Sequence, residues 1–205
     1  ALLCPMFKDE EGFLTEWVAY HISQGIDHVY MFDDSSTDNS LQELEPWVKA
    51  GYVSVHNAHS VAEGGLASHA GKNPFTQAME RKSVLERECK LWGIENGFSY
   101  FFSIDLDEYI TPTQAGITAV DSFDKFVKET GRPILMMVKY NFQSTPHILE
   151  PVDMLTIEAY QTRMATPGRM NYYTTVARKV AMMINAPEGS DAAYFKHVGW
   201  NPSVS

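Results

Sequence analysis

Short apolar runs and helical stripes take turns along the first 140 residues, and that alternation leaves few folds open. Ala1 to Phe7 is apolar with little interruption and predicts a buried strand, followed by a charged turn over Lys8 to Gly12. Leu14, Trp17, Val18, His21 and Ile22 then fall at i, i+3, i+4, i+7 and i+8, which is one apolar stripe of a helix stopped by Gly25. His28 to Phe32 is rich in strand formers, and the next helix carries Leu41, Leu44, Trp47 and Val48 before Gly51. Tyr52 to His56 reads as a third strand, Asn57 to Pro74 as a long loop, and Phe75 to Asn96 as a helix closed by Gly97. Tyr100 to Ile104 is the clearest buried strand, the fourth. A short helix near Ser122 to Thr130 and a strand near Ile134 to Tyr140 complete the series. This β-α-β order predicts an α/β fold with a mostly parallel sheet flanked by helices.

Beyond Tyr140 the apolar runs shorten, around Leu155 to Ala159, Thr174 to Ile184 and Ala192 to Val198, with Pro146, Pro151, Pro167 and Pro187 between them. That half reads as mixed, antiparallel and loop-rich. With 205 residues, 44% of them hydrophobic, the chain has material for one core, and a single domain over 1–205 is expected.

A formal net charge of -10 opposes nucleic-acid phosphate and anionic membrane surfaces alike, so a general nucleic-acid binder is excluded. An anionic substrate therefore needs a local device, such as a bound cation, a few Arg or Lys side chains, or a helix N-terminus. No apolar run is long enough to span a bilayer. The chain opens on Ala1 inside an apolar segment, as expected of a processed chain or of a soluble domain excised from a larger or membrane-anchored protein. Cys4 and Cys89 lie in apolar or helical settings and read as buried thiols, with one bridge between them as the alternative.

The chemistry concentrates at Asp105-Leu106-Asp107-Glu108. Successive side chains of an extended segment alternate, so Asp105 and Asp107 project to one side while Leu106 turns away. Two carboxylates held together repel, and a divalent ion resolves the conflict. Hard oxygen ligands suit Mg2+ or Mn2+, which keep positions open for phosphate oxygens. The bare tripeptide reads first as a solvated strand-to-loop turn, and its context reverses that order: it follows a buried strand, where open α/β sheets bind ligands. An aspartyl-phosphate hydrolase also carries Asp-x-Asp after an apolar strand, with the first Asp as nucleophile. That class has Thr or Val where Tyr109 stands, and bears its motif on the first strand. A calcium loop of the EF-hand kind lacks its glycine, since Ile110 holds the sixth position.

Taken together, Glu16-Trp17-Val18-Ala19-Tyr20-His21, Gly25-Ile26-Asp27-His28, Phe32-Asp33-Asp34-Ser35-Ser36-Thr37-Asp38 and Phe102-Ser103-Ile104-Asp105-Leu106-Asp107-Glu108-Tyr109-Ile110 resemble the glycosyltransferase family 92 group and its family 2-like relatives. Asn141-Phe142-Gln143-Ser144 and Ala177-Arg178-Lys179-Val180 are fainter echoes. The resemblance implies a GT-A fold, with a Rossmann-like nucleotide-sugar and metal-binding half over 1–112 and an acceptor-side half over 113–205. It implies a glycosyltransferase moving a hexosyl or deoxyhexosyl group from a nucleotide-diphosphate sugar to a glycan or glycoconjugate acceptor, with Mn2+ or Mg2+ as cofactor. Met6 to Glu10, including Phe7, would wall the nucleotide, and Glu10 with Asp33 or Asp34 would bond ribose or base. Asp105 and Leu106 would line the donor, and Asp105, Asp107 and His197 would form the metal set. Where the family usually has Asn, this chain has Asp9.

Each supporting residue has a plainer reading. Asp34 to Asp38 suit a cap for the helix starting near Ser40. Lys72, Arg81 and Lys82 could face a diphosphate, yet Arg81, Lys82 and Arg87 alternate with Glu80, Glu86 and Glu88 as surface charges do. Arg81 is the candidate retained. His21 and Trp17 belong to the apolar stripe and read as core. An inverting transfer needs a carboxylate base, for which Asp191, Glu150 and Asp153 are candidates, whereas a retaining one does not need it in that role. Tyr172, Tyr173, Tyr194 and Trp200 offer faces for an acceptor sugar. A binding module that keeps the fold without turnover is the remaining alternative.

Overall fold

A computed structural model of the chain describes residues 1–63, 74–112, 114–137, 142, 154–161 and 179–184. Its compact units are Ala1–Leu135 with Val180–Ser205, and Met136–Lys179.

The expected first strand is two short pieces, β1 (Leu2–Leu3) and β2 (Met6–Phe7). Pro5 lies between them and has no N-H to give to a ladder, although its carbonyl accepts the Phe32 N-H at 3.0 Å. Helix α1 (Leu14–Ser23) buries Leu14, Trp17, Val18 and His21, and Gly25 at φ 90° turns the chain out of it. Then come β3 (His28–Asp33), α2 (Ser40–Lys49) and β4 (Val53–Asn57). The stripe read on α2 is narrower than expected. Leu44 is buried, whereas Leu41 and Val48 are 47% and 43% exposed.

The loop expected after β4 begins instead as a helix, α3 (Ala58–Glu63). Asn57 caps it by accepting the Ser60 N-H at 3.0 Å. Helix α4 (Pro74–Glu95) leads to β5 (Tyr100–Ser103), and α5 (Ala119–Thr130) starts three residues before the expected boundary. Its start is set by a capping box between Thr118 and Asp121. Strand β6 (Ile134–Met137) follows. The apolar run at Leu155 to Ala159 contributes a helical turn, α6 (Thr156–Ala159), and β7 (Lys179–Met183) comes last.

The sheet runs β2-β3-β1-β5-β7-β6, with β4 on the free side of β3. All pairings of β1 to β5 are parallel, and β7 joins β5 antiparallel, as expected for the mixed C-terminal half. Alternation along the strands divides the core between two faces. Leu2, Tyr30, Phe32, Phe101 and Met182 pack with Ala58, Ala62, Leu85 and Cys89 of α3 and α4. Leu3, Val29, Met31 and Phe102 point the other way and are equally buried, and the Phe102 ring meets Phe123 of α5. Each such apolar side chain contributes roughly 1.5–3 kcal/mol when fully buried. Helix α4 approaches so closely that a Cβ at Gly93 would lie 2.5 Å from the side-chain ends of Leu2 and Ile184, so any larger residue there has to displace them.

Cys4 and Cys89 are joined in a disulfide, where two buried thiols were the first expectation. It fastens the β1–β2 junction to α4. Among the described residues, no helix is long and apolar enough to cross a membrane.

Candidate functional site

Strands β3 and β4 lie on one side of β1 and β5 on the other. The chain therefore reverses direction at β1, which makes its carboxyl-end crevice the topological switch point. Three acidic loops leave the strands there: Lys8 to Gly12 after β2, Asp33 to Asp38 at the end of β3, and Asp105 to Glu108 after β5.

The first two loops are stitched together. The backbone N-H groups of Asp9, Glu10, Glu11 and Gly12 donate in succession to Ser36 Oγ (3.0 Å), Ser40 Oγ (2.8 Å), Asp38 Oδ2 (2.9 Å) and Glu43 Oε2 (2.7 Å). Glu43 also accepts the Thr15 N-H at 2.6 Å, so α2 supplies the start of α1 with a cap that Phe13 cannot give. In return, Asp9 Oδ1 accepts the Thr37 N-H at 2.6 Å. Asp9 has φ 53°, a left-handed conformation that Asn and Asp tolerate best among residues with a side chain.

Asp33 is buried and accepts the Ser36 N-H within the loop at 2.9 Å, and Asp38 accepts the Ser40 N-H at 3.0 Å, while the N-cap position itself, Asn39, makes no side-chain capping bond. Asp34 does something else. Its carboxylate lies 2.9 Å from Arg81 Nη2 and 3.0 Å from His59 Nε2. Phe7 is buried, and its carbonyl accepts the Asp34 N-H at 2.9 Å.

The third loop is a tight turn. The Glu108 N-H donates to the Asp105 carbonyl at 3.1 Å, and the Glu108 carboxylate accepts the Asp105 N-H at 2.9 Å. Carboxylate oxygens of Asp105, Asp107 and Glu108 all lie within 4.8 Å of one another. Leu106 is half-buried between them. Lys82 pairs with Asp105, although its place among alternating charges favoured a solvated role. Lys82, Leu85 and Cys89 fall on one face of α4, which aims that face at a small cleft bounded by Met6, Phe32 and Asp105.

The electrostatics register the crowding. Burial pushes the Glu10 carboxyl above the usual range, and the charges of Asp107, Asp38 and Asp9 push it further. Glu10 and Asp107 thus belong to one negative field, although 97 positions separate them in the sequence. An all-carboxylate donor set in such a field has the chemistry that Mg2+ or Mn2+ selects.

Trp17 and His21 are core, as their place in the apolar stripe implied, and with Tyr20 they also bond the backbone beyond the carboxylate turn, as Lys82 pairs with Asp105 within it. Lys82 had a legible signal in its spacing from Leu85 and Cys89, while the other three reach the site through contacts across about 90 positions. Asp191, Glu150, Asp153, His197, Lys72, Tyr172, Tyr173, Tyr194 and Trp200 lie outside the described residues.

Comparison with known proteins places this site in context. A crystal structure of residues 1–349 of S. aureus TarS is similar at 14% identity and a TM-score of 0.48, covering 90% of this chain and 47% of that one. A crystal structure of the same protein in complex with UDP-GlcNAc is similar at 16% identity and a TM-score of 0.41, covering 73% and 36%. The chain thus spans about half the length of the first of these, and less of the second. No curated protein matches it. Residues 3–182 match the family described as glycosyltransferase family 92. That span contains both the stitched loops and the carboxylate turn, and the chain belongs to glycosyltransferase family 92.

Proposed function

We propose that this protein is a metal-dependent glycosyltransferase that moves a hexosyl or deoxyhexosyl group from a nucleotide-diphosphate sugar to a hydroxyl of a glycan or glycoconjugate. The observation that carries this reading is the convergence of three acidic loops at the switch point, with Asp105, Asp107 and Glu108 oxygens within 4.8 Å of one another.

In this reading Asp105 and Asp107 hold Mn2+ or Mg2+, with Asp107 as the principal ligand and His197 as a further one. A cation bound there supplies positive charge to the oxygens of a departing diphosphate. Glu108 keeps the turn closed through the Asp105 N-H. Glu10, Asp33 and Asp34 serve the ribose and base, with Phe7 behind them. Arg81, anchored on Asp34, stands ready for the diphosphate, where a guanidinium makes paired bonds to phosphate oxygens. Lys82 neutralises Asp105 until the donor arrives. The proton of the acceptor hydroxyl goes to a carboxylate if the transfer inverts, with Asp191, Glu150 and Asp153 as the candidates.

Calorimetry with UDP and GDP, with and without Mn2+, tests this. The expected result is nucleoside-diphosphate binding that requires Mn2+ and drops at least about 100-fold in Asp107→Ala. Phosphatase activity without metal-dependent nucleotide binding would overturn it in favour of the hydrolase. Tight binding with neither transfer nor donor hydrolysis across a panel of nucleotide sugars would leave a binding module.

A further inference from the structure

Among the described residues, the segment that follows the carboxylate turn forms no helix or strand between β5 and α5, yet its backbone is held at three points by one helix. Trp17 Nε1 donates to the Glu108 carbonyl at 2.9 Å. The Tyr20 hydroxyl donates to the Ile110 carbonyl at 3.1 Å and lies 2.9 Å from Thr111 Oγ1. The Ile110 N-H donates to His21 Nε2 at 3.3 Å. Positions 17, 20 and 21 are i, i+3 and i+4, one face of α1.

The protonation of His21 follows from these bonds. Nε2 accepts from Ile110, so the ring is neutral, with its proton on Nδ1, where it is donated to the Trp17 carbonyl at 2.8 Å. The ring is fully buried. The Tyr109 ring completes the packing, 5.8 Å from the His21 ring and nearly parallel to it, and edge-on to Tyr20 at 5.1 Å. Trp17 and His21 are themselves in contact at 4.2 Å between ring centres. The backbone on the C-terminal side of the Asp105–Glu108 turn is thereby tied to a rigid element, while Glu108 ties its N-terminal side.

We infer that Trp17, Tyr20 and His21 are positioning residues that hold the Asp105–Glu108 turn in the shape that receives the cation. This rests on the metal-dependent reading above. None of the three touches a donor carboxylate. They act on the backbone that carries Glu108, and a turn fixed in advance does not have to be ordered when the cation binds.

Two readouts on the same proteins test the inference. Tyr20→Phe removes the hydroxyl, and Trp17→Phe removes the indole N-H together with part of the buried ring; each keeps an aromatic side chain. Val18→Ala, on the same helix and buried, lowers stability without touching the bonds to 108–111 and serves as the matched control. Hydrogen exchange over residues 105–111 in the metal-free protein is expected to accelerate in the two aromatic variants. The Mn2+ concentration needed for nucleoside-diphosphate binding is expected to rise roughly tenfold. Val18→Ala should change neither. Unchanged exchange, or faster exchange with unchanged Mn2+ dependence, overturns the inference, as does a rise in Val18→Ala equal to that in the aromatic variants. If the wild-type protein itself shows no Mn2+-dependent nucleotide binding, the metal-dependent reading falls first and takes this inference with it.

Discussion

The site is built on two supports of opposite character. The loops at 8–12 and 33–43 are joined by backbone N-H groups donating to hydroxyl and carboxylate oxygens, most of them exposed and several of them charged. The turn at 105–108 is held on its far side by neutral groups of three aromatic side chains, two of them fully buried. An exposed carboxylate acceptor is individually weak and replaceable, because water competes for every bond. A buried neutral donor or acceptor has no substitute when it is removed. The first support is redundant, and the second is concentrated in few atoms.

The largest test of this contrast is pH. Burial lowers the His21 pKa from 6.5 to about 4, against the smaller opposing effect of its bond to Trp17. The folded protein therefore binds fewer protons than the unfolded chain between those values. His21 contributes its full stability above pH 6.5, and that contribution is lost progressively as pH falls to about 4. At about 1.4 kcal/mol per pH unit, the loss is roughly 3 kcal/mol. Urea unfolding of wild type and His21→Gln across this range isolates it, since His28 and His56, also lowered by burial, are common to both proteins. Parallel curves for the two proteins would remove the buried half of the comparison.

Next in size is Glu43→Ala, which takes the acceptor from both Gly12 and Thr15. A loss of about 1 kcal/mol in urea unfolding is expected, since the two N-H groups regain water. A loss above about 3 kcal/mol would mean that the stitched loops are no more redundant than the aromatic clamp formed by Trp17, Tyr20 and His21. The smallest effect belongs to Asp9→Asn. An amide oxygen can still accept from Thr37, and Asn adopts φ 53° as readily as Asp, so stability should stay within about 0.5 kcal/mol.

What the sequence disclosed follows the range of the forces involved. The alternation of strands and helices was legible because apolar periodicity is local, and the stripe from Leu14 to His21 is buried as its spacing implied. Helix α3 was missed because six residues carry too little periodicity, although Asn57 three positions before Ser60 was a readable cap. On α2, spacing could not tell that only one side meets the protein, which leaves Leu41 and Val48 in water. The acidic loops were each visible, and the order of strands brought them to one edge. The clamp was not visible. Trp17 and His21 read as core and are core, but no local pattern reveals that their nitrogens serve residues 108 and 110.

The disulfide adds a consequence of covalent topology. Cys4 and Cys89 close a ring of chain that contains α1 and both stitched loops, whereas the carboxylate turn lies outside it. A peptide bond broken inside the ring leaves one molecule until a reductant arrives. A break beyond Cys89 severs everything downstream of it at once. The half of the site that is richest in weak, replaceable bonds is thus the half that a single cut cannot separate from α4, whereas after a cut between Cys89 and Asp105 the turn depends on folding alone to stay with them.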